Sequence, residues 1–82
     1  MTILEIRTEK SKRPSLKEAQ KFVDGLVQLV PLPNGDQLLC NEEGRLMDLP
    51  INAQATTEYG KDICSGLLVG NVMILKDEAR WR

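Results

Sequence analysis

An almost unbroken apolar run near the end of the chain constrains the fold most. Residues 63–75 are interrupted only by Ser65, Gly66, Gly70 and Asn71. Aliphatic residues in such a run are typical of strands buried within a sheet. The glycines allow a bend or a close approach, so the run predicts either two strands joined at Gly70 and Asn71 or one long bent strand. In both cases we expect these residues at the centre of a sheet.

Four further segments have the pattern of strands, and they are residues 2–7, 26–32, 37–40 and 45–47. In the first, Leu4 and Ile6 alternate with charged residues, which indicates a strand with one buried face. Asn34 and Gly35 supply the positive φ angles of a tight hairpin turn between the second and third segments. Residues 41–44 form a second turn, which would make the last segment part of a meander.

Two helices are predicted. Ser15 followed by Glu18 is a capping-box pattern, which predicts that the main helix begins there, and Gly25 is expected to end it. Residues 51–59 follow a proline and precede Gly60, which favours a second, short helix. The charged residues 76–82 are expected to fray, unless Trp81 folds back onto the core.

These elements predict one α+β domain over residues 1–82, with a small antiparallel or mixed sheet of four to five strands. A chain of 82 residues has room for a single modest core. Its 41% hydrophobic and 28% charged residues are near the averages of soluble globular proteins, so extensive disorder is not expected.

Charge and cysteine content limit where the protein works. The formal net charge of −1 gives no overall attraction to nucleic acid or to anionic membranes. No apolar run reaches the ~20 residues that cross a bilayer, and no signal peptide is evident, so we expect a cytoplasmic protein without a membrane partner. Cys40 and Cys64 have no CxxC spacing and no histidine nearby, which favours buried free thiols over a metal site.

Groups that catalyse reactions are scarce in this sequence. No histidine is present, which removes the usual general base and most catalytic triads. The adjacent Glu42 and Glu43 have the pattern of a solvated turn. The glycines of residues 66–75 match neither a Walker loop nor a dinucleotide fingerprint. We therefore predict a protein that is not an enzyme and has no catalytic residues, no cofactor and no metal.

A candidate binding surface lies in the second helix. One helical turn brings Asn52 and Thr56 to the same face, close to Tyr59, and these side chains carry uncharged donors and acceptors. They are candidates for contact with a partner or a small ligand. The alternative is structural, with the same residues capping the helix and covering one end of the sheet.

A candidate basic patch surrounds the start of the main helix and consists of Lys10, Lys12, Arg13, Lys17 and Lys21. Such a cluster would contact phosphates or an acidic partner. Glu9, Glu18 and Asp24 dilute it, and no aromatic residues alternate with it to stack on bases. A solvated helix face is therefore favoured, and nucleic-acid binding is not expected.

Several motifs together resemble those of the DUF3846 group of small domains. They are the stretch 27–35, Asn41-Glu-Glu-Gly44, Leu49-Pro50-x-Asn52-x-x-Ala55-Thr56-x-x-Tyr59-Gly60 and Gly70-Asn71-Val72. The resemblance covers about residues 16–76. Gly70-Asn71 stands where Gly-Asp is frequent in the group, and Ala53 and Gln54 stand where basic residues are common. The latter departure weakens any anion site near Asn52.

The resemblance implies an accessory protein of phages, plasmids or their bacterial hosts, with no established activity attached. It leads us to expect a protein that binds and modulates a host protein, for example one that blocks a host defence, in the host cytoplasm. One alternative is a protein that sequesters a small nucleotide signal, and another is contact with nucleic acid through the basic residues. A homodimer is compatible with each of these hypotheses, because pairing covers an open sheet edge, and the sequence leaves the oligomeric state open.

Overall fold

A mixed sheet of four strands forms the centre of the protein, which the computed structural model describes at residues 2–44, 46–63 and 66–81. The elements follow the order β1 (Leu4–Arg7), α1 (Leu16–Val23), β2 (Val27–Pro31), β3 (Gln37–Asn41), α2 (Ala53–Tyr59) and β4 (Val72–Leu75). The strand order is β1-β4-β3-β2, with β1 parallel to β4 and the other two pairs antiparallel. The predicted α+β class, with a mixed sheet, one main helix and one short helix, is confirmed. No helix within the described ranges is long and apolar enough to span a membrane.

The central strand β4 is fully buried, as the apolar run predicted. Val72 and Ile74 belong to the hydrophobic cluster on the α2 side, and Met73 and Leu75 to the cluster on the α1 side. The predicted length of the strand was wrong. Only Val72–Leu75 is a strand, and Val69 makes a single bridge to Ile51. Gly70 interrupts extended structure because its φ is 73°, and residues 64–65 lie outside the described part of the chain.

Helix α1 covers one face of the sheet. Ser15 caps it by accepting a hydrogen bond of 3.1 Å from the Glu18 amide, so the predicted start is confirmed. The end differs from the prediction, because Asp24 and not Gly25 takes the left-handed conformation, with a φ of 64°. The side-chain nitrogen of Asn41 stabilises this end by donating hydrogen bonds to the backbone carbonyl groups of Val23 and Asp24.

Helix α2 and the segment that follows it cover the other face. Ala55 and Leu68 are buried here against residues of β3 and β4. After α2 the chain forms a 3-10 turn, Gly60–Asp62, so the α-helix stops where Gly60 was expected to end it. Residues 62–63 and 67–69 line a cavity together with residues of β2 and β3.

The hairpin between β2 and β3 was predicted correctly, but the tight turn and the meander were not. Asn34, unlike Gly35, lacks the positive φ angle that a two-residue Asn-Gly turn requires. β2 and β3 pair around residues 32–36, where Gly35 has a φ of 93°. Residues 46–48 form a turn instead of a third strand, and Arg45 lies outside the described residues. The amides of Met47 and Leu49 donate to carbonyl groups a few residues earlier, and these local hydrogen bonds replace a strand ladder.

Residues 77–81 pack against the rest of the protein, which contradicts the predicted fraying for the described part of this segment. Residues Asp77–Ala79 form a 3-10 turn in which Ala79 is completely buried. Trp81 folds back onto the α1 cluster, as the alternative prediction allowed. Its indole nitrogen donates a hydrogen bond of 2.8 Å to the Pro14 carbonyl.

Replacing Gly60 with alanine is expected to lower the free energy of unfolding by about 1–3 kcal/mol, the usual cost of overpacking. A Cβ atom at Gly60 would lie 2.8 Å from the backbone oxygen of Gly66. A carbonyl oxygen in the backbone cannot rotate away as a flexible side chain would. Urea denaturation followed by circular dichroism measures the loss. Thr57→Ala, an exposed change on the same helix, is the control, and equal stability of both variants with the wild type would contradict the close approach.

Candidate functional site

Asn52, the centre of the predicted binding surface, is a buried structural residue with only 1% of its surface exposed. Its side-chain oxygen accepts a hydrogen bond of 3.0 Å from the Ala55 amide and so caps α2. Its side-chain nitrogen donates to the carbonyl groups of Ile3, at 3.0 Å, and Gly70, at 2.9 Å. Both N–H groups are therefore used inside the protein to hold α2 against the starts of β1 and β4.

Thr56 and Tyr59 also turn inward. The Thr56 hydroxyl accepts from the Leu68 amide at 3.0 Å and donates to the Leu68 carbonyl at 3.2 Å. Tyr59 is half-buried and packs against the α2-side cluster. Asn52 and Thr56 thus make the contacts expected of the alternative to a binding surface, in which these residues cap the helix and cover one end of the sheet. A binding surface at this helix stays a prediction.

The predicted basic residues differ in their exposure to solvent. Lys10, Lys12, Lys17 and Lys21 are exposed, whereas Arg13 is half-buried. The Arg13 guanidinium donates a hydrogen bond of 2.7 Å to the Glu78 carbonyl. A nucleic-acid role for this patch stays untested.

Arg7, which the sequence did not single out, bonds to the carboxylates of Glu5 and Glu18 close to this basic patch. Burial alone would lower the pKa of Arg7, but its hydrogen bonds to the two carboxylates give a net rise. The two carboxylates therefore reduce the positive potential beside the patch.

The β2 edge of the sheet is partly blocked. Leu26 and Leu32 flank the strand, and the backbone groups of both face the other arm of the hairpin. The Leu26 carbonyl accepts a hydrogen bond from the Glu42 amide, and the Leu32 amide donates one to the Asp36 carbonyl. Because backbone groups alternate in direction along a strand, Val27, Leu29 and Pro31 point their backbone groups outward. Pro31 has no N–H to offer, so a strand added here would lose a hydrogen bond at the end of the ladder.

The β1 edge is open. The Ile3 carbonyl accepts a hydrogen bond of 2.9 Å from the Val72 amide of β4. The Arg7 carbonyl accepts one of 2.9 Å from the amide of Lys76, the residue after β4. By the same alternation, Leu4 and Ile6 point their N–H and C=O groups away from the sheet. No strand in the described ranges pairs with this side, and the strand contains no proline. The side chains of Ile3 and Ile6, at the edge, are each 47% exposed.

A cavity of about 360 Å³ lies between the β2–β3 hairpin and residues 62–63 and 67–69. Val30, Cys40 and Leu68 form its apolar wall, and Glu42, Glu43 and Asp62 add carboxylates. Burial raises the pKa of the Cys40 thiol, so this cysteine stays protonated at neutral pH and is a poor nucleophile. Cys40 is a buried free thiol as predicted, while Cys64 lies outside the described residues.

An ion pair links the loop of the β2–β3 hairpin to the residue that follows β4. The Lys76 ammonium lies 2.7 Å from a carboxylate oxygen of Asp36. The hydrogen bond to Asp36 raises the pKa of Lys76, even though burial opposes the rise. A raised lysine pKa adds stability that is fully present below the ordinary lysine pKa and is lost only as the pH rises through the folded value. The pair is therefore no switch near neutral pH.

Within the described residues, the protein is a small α+β domain with an open sheet edge at β1 and a cavity beside β2 and β3. The chain belongs to the DUF3846 family, a domain of unknown function, whose family model matches residues 1–80. The match confirms the resemblance and extends it beyond residues 16–76. No curated protein and no solved structure matches the chain. The described residues contain no group of three or more side chains that would hold a metal ion.

Proposed function

We propose that this protein is a non-catalytic accessory protein that binds a host protein by adding one of the partner's strands to β1. Membership of the DUF3846 family supports this through the resemblance to accessory proteins of phages and other mobile elements. Within that proposal, blocking a host defence protein in the cytoplasm is the role we favour. The observation that carries the proposal is the difference between the two sheet edges.

An exposed strand edge offers a row of backbone donors and acceptors, and natural proteins usually block it with proline, charges or a bulge. Here β2 ends in Pro31, which has no N–H group. In β1, the residues whose backbone N–H and C=O groups face away from the sheet are Leu4 and Ile6. Main-chain hydrogen bonds would supply affinity at β1, and the half-exposed Ile3 and Ile6 would supply apolar contact. The occupant we propose is an extended apolar segment of the host protein.

The other candidate functions have less support from the contacts. A nucleotide at Asn52, Thr56 and Tyr59 would compete with internal contacts, because the side chains of Asn52 and Thr56 already bond to backbone groups. Nucleic-acid contact at the basic residues would have to overcome Glu5 and Glu18, which bind Arg7 nearby. A second copy of this chain could occupy the β1 edge, and a homodimer is the competing outcome of the test below.

The test blocks one edge at a time. In Ile6→Pro the lost N–H points outward, so the bonds between β1 and β4 remain while the docking edge loses a donor. Leu29→Pro removes an outward N–H at the β2 edge in the same way and is the matched control. Each tagged protein is used to capture partners from a bacterial host lysate, with quantitative mass spectrometry. We expect a host protein that wild type and Leu29→Pro retain and Ile6→Pro loses.

Hydrogen exchange then locates the contact on the unmodified protein. The Leu4 and Ile6 amides should exchange rapidly in the free protein and become protected in the purified complex. Native mass spectrometry of the free protein tests the competing dimer. A partner that Ile6→Pro still captures, or an Ile6 amide that exchanges equally fast in the complex, would overturn the strand-addition proposal.

A further inference from the structure

The two faces of β1 carry different side chains. Leu4 packs against the α2-side cluster, and side chains alternate along a strand, so Ile6 lies on the same side. Glu5 and Arg7 therefore point to the α1 side, where Arg7 bonds to Glu18 of α1. A strand that adds to β1 would meet an apolar side chain on one face and two opposite charges on the other.

The two charges of β1 keep capacity for further hydrogen bonds. The Glu5 side chain is 38% exposed and accepts a hydrogen bond from Arg7, whereas a carboxylate accepts up to about four. The Arg7 guanidinium bonds to Glu5, Glu18 and the Lys12 carbonyl through Nε and Nη1, and none of these three bonds uses Nη2. A concave space of about 540 Å³ beside these residues has room for incoming side chains.

The sequence of β1 is complementary to itself in one antiparallel register. Residues with outward backbone groups must face one another, so a two-fold axis that relates two copies passes through one residue of the strand. An axis at Glu5 or at Arg7 places that residue opposite its own copy, and like charges in this position are destabilising. An axis at Leu4 places Glu5 opposite the uncharged Ile3. An axis at Ile6 places Glu5 of each copy opposite Arg7 of the other.

The register centred on Ile6 also suits the backbone and the apolar face. Ile6 would exchange two hydrogen bonds with Ile6 of the second copy, and their exposed side chains would meet on the α2 side. Leu4 would face Thr8, an exposed residue directly after β1. A ladder of about five residues a side buries less than the ~1,200 Å² of a standard stable interface. The expected dimer is therefore weak and dissociates on dilution.

We propose that β1 pairs antiparallel with β1 of a second copy, centred on Ile6, and that this weak dimer covers the edge when no host strand is bound. Exposed edges of sheets are commonly covered in this way or another. A host strand would bind the monomer and so compete with the second copy. The covering role rests on the proposed function, whereas the pairing does not. A dimer without any captured host protein, or capture without a dimer, would therefore contradict only one of the two proposals.

An exchange of charges between two variants tests the register. In Glu5→Arg the new guanidinium faces Arg7 of the other copy, and in Arg7→Glu the new carboxylate faces Glu5. Each variant alone should dimerise about tenfold more weakly than the wild type, or worse. An equimolar mixture of the two should associate about as tightly as the wild type, because both cross-strand pairs again have opposite charges. Sedimentation equilibrium of the full chain from about 10 µM to 1 mM measures the dissociation constants.

Three controls separate this contact from general effects. Glu58→Arg changes the net charge as Glu5→Arg does, at an exposed position of α2, and should leave the dimer unchanged. Ile6→Pro removes an outward N–H and should abolish the dimer, whereas Leu29→Pro should keep it. A wild-type protein that stays monomeric up to about 1 mM, or a mixture no tighter than its separate components, would overturn the inference.

Hydrogen exchange of the wild type gives a readout that needs no variant to fold. The Leu4 and Ile6 amides should exchange rapidly in dilute protein and more slowly as the concentration rises over the same range. Circular dichroism shows whether each charge variant is folded. Exchange of the Ile6 amide that is independent of concentration would also overturn the pairing.

Discussion

Asn52→Ala should destabilise the protein by about 3 kcal/mol, which corresponds to a fall of about 15 °C in Tm for a domain of this size. The change removes the cap of α2, worth about 1 kcal/mol, and deletes both donors to the carbonyl groups of Ile3 and Gly70. The Ile3 carbonyl keeps its bond from the Val72 amide. The buried interaction with Gly70 is lost outright, which adds about 1–3 kcal/mol.

Two further variants separate the cap from the donors. Asn52→Asp keeps an oxygen that can cap α2 but faces two carbonyl oxygens with a carboxylate, so we expect it to be at least as destabilising as Asn52→Ala. Gln54→Ala, an exposed change in the same helix, should stay within about 0.5 kcal/mol of the wild type. Urea denaturation gives all three values. An Asn52→Asp variant as stable as the wild type would show that the cap alone matters.

The same residue shows what the sequence could and could not predict about the site. Helical spacing correctly placed Asn52 and Thr56 near one another, and an asparagine before a helix favours a capping role. The sequence could not show that Ile3 and Gly70 approach the same side chain, because both contacts join segments distant along the chain. Polar residues that bind a partner and polar residues that bond to backbone have the same local pattern.

The fold was predictable where local chemistry dominates. Ser15 and Glu18 start α1, and Asn34 with Gly35 sits in the hairpin loop, because each depends on neighbouring residues. The extent of β4 was not predictable from hydrophobicity, since an apolar residue such as Leu68 is buried equally well from irregular chain over a sheet. Strand order was also beyond the sequence, so neither the open β1 edge nor the cavity next to β2 could be identified from it.

The end of the chain gives the second large effect. Trp81→Ala should lower the free energy of unfolding by about 2–4 kcal/mol, somewhat less than a fully buried tryptophan, because Trp81 is half-buried. Its ring packs on the cluster that contains Leu39 and Met73, and its N–H bonds to the Pro14 carbonyl. The backbone N–H of Trp81 also donates a hydrogen bond to the Gln37 side-chain oxygen, and the Trp81 carbonyl accepts one from the Gln37 side-chain nitrogen. Losing the ring should therefore loosen the last residues as well as the α1 face.

Trp81→Phe separates packing from hydrogen bonding. Phenylalanine keeps most of the apolar contact and loses the N–H, so we expect a loss of about 1 kcal/mol relative to the wild type. Arg80→Ala removes two solvent-exposed hydrogen bonds, to the carbonyl groups of Asp77 and Gly35, but no core contact, so we expect a loss of no more than about 1 kcal/mol. Circular dichroism follows unfolding, because the chain has a single tryptophan and its fluorescence is lost in these variants. If Trp81→Ala were as stable as Arg80→Ala, the tail would fray as its charge pattern predicts, and the contacts of Trp81 would contribute nothing to the fold.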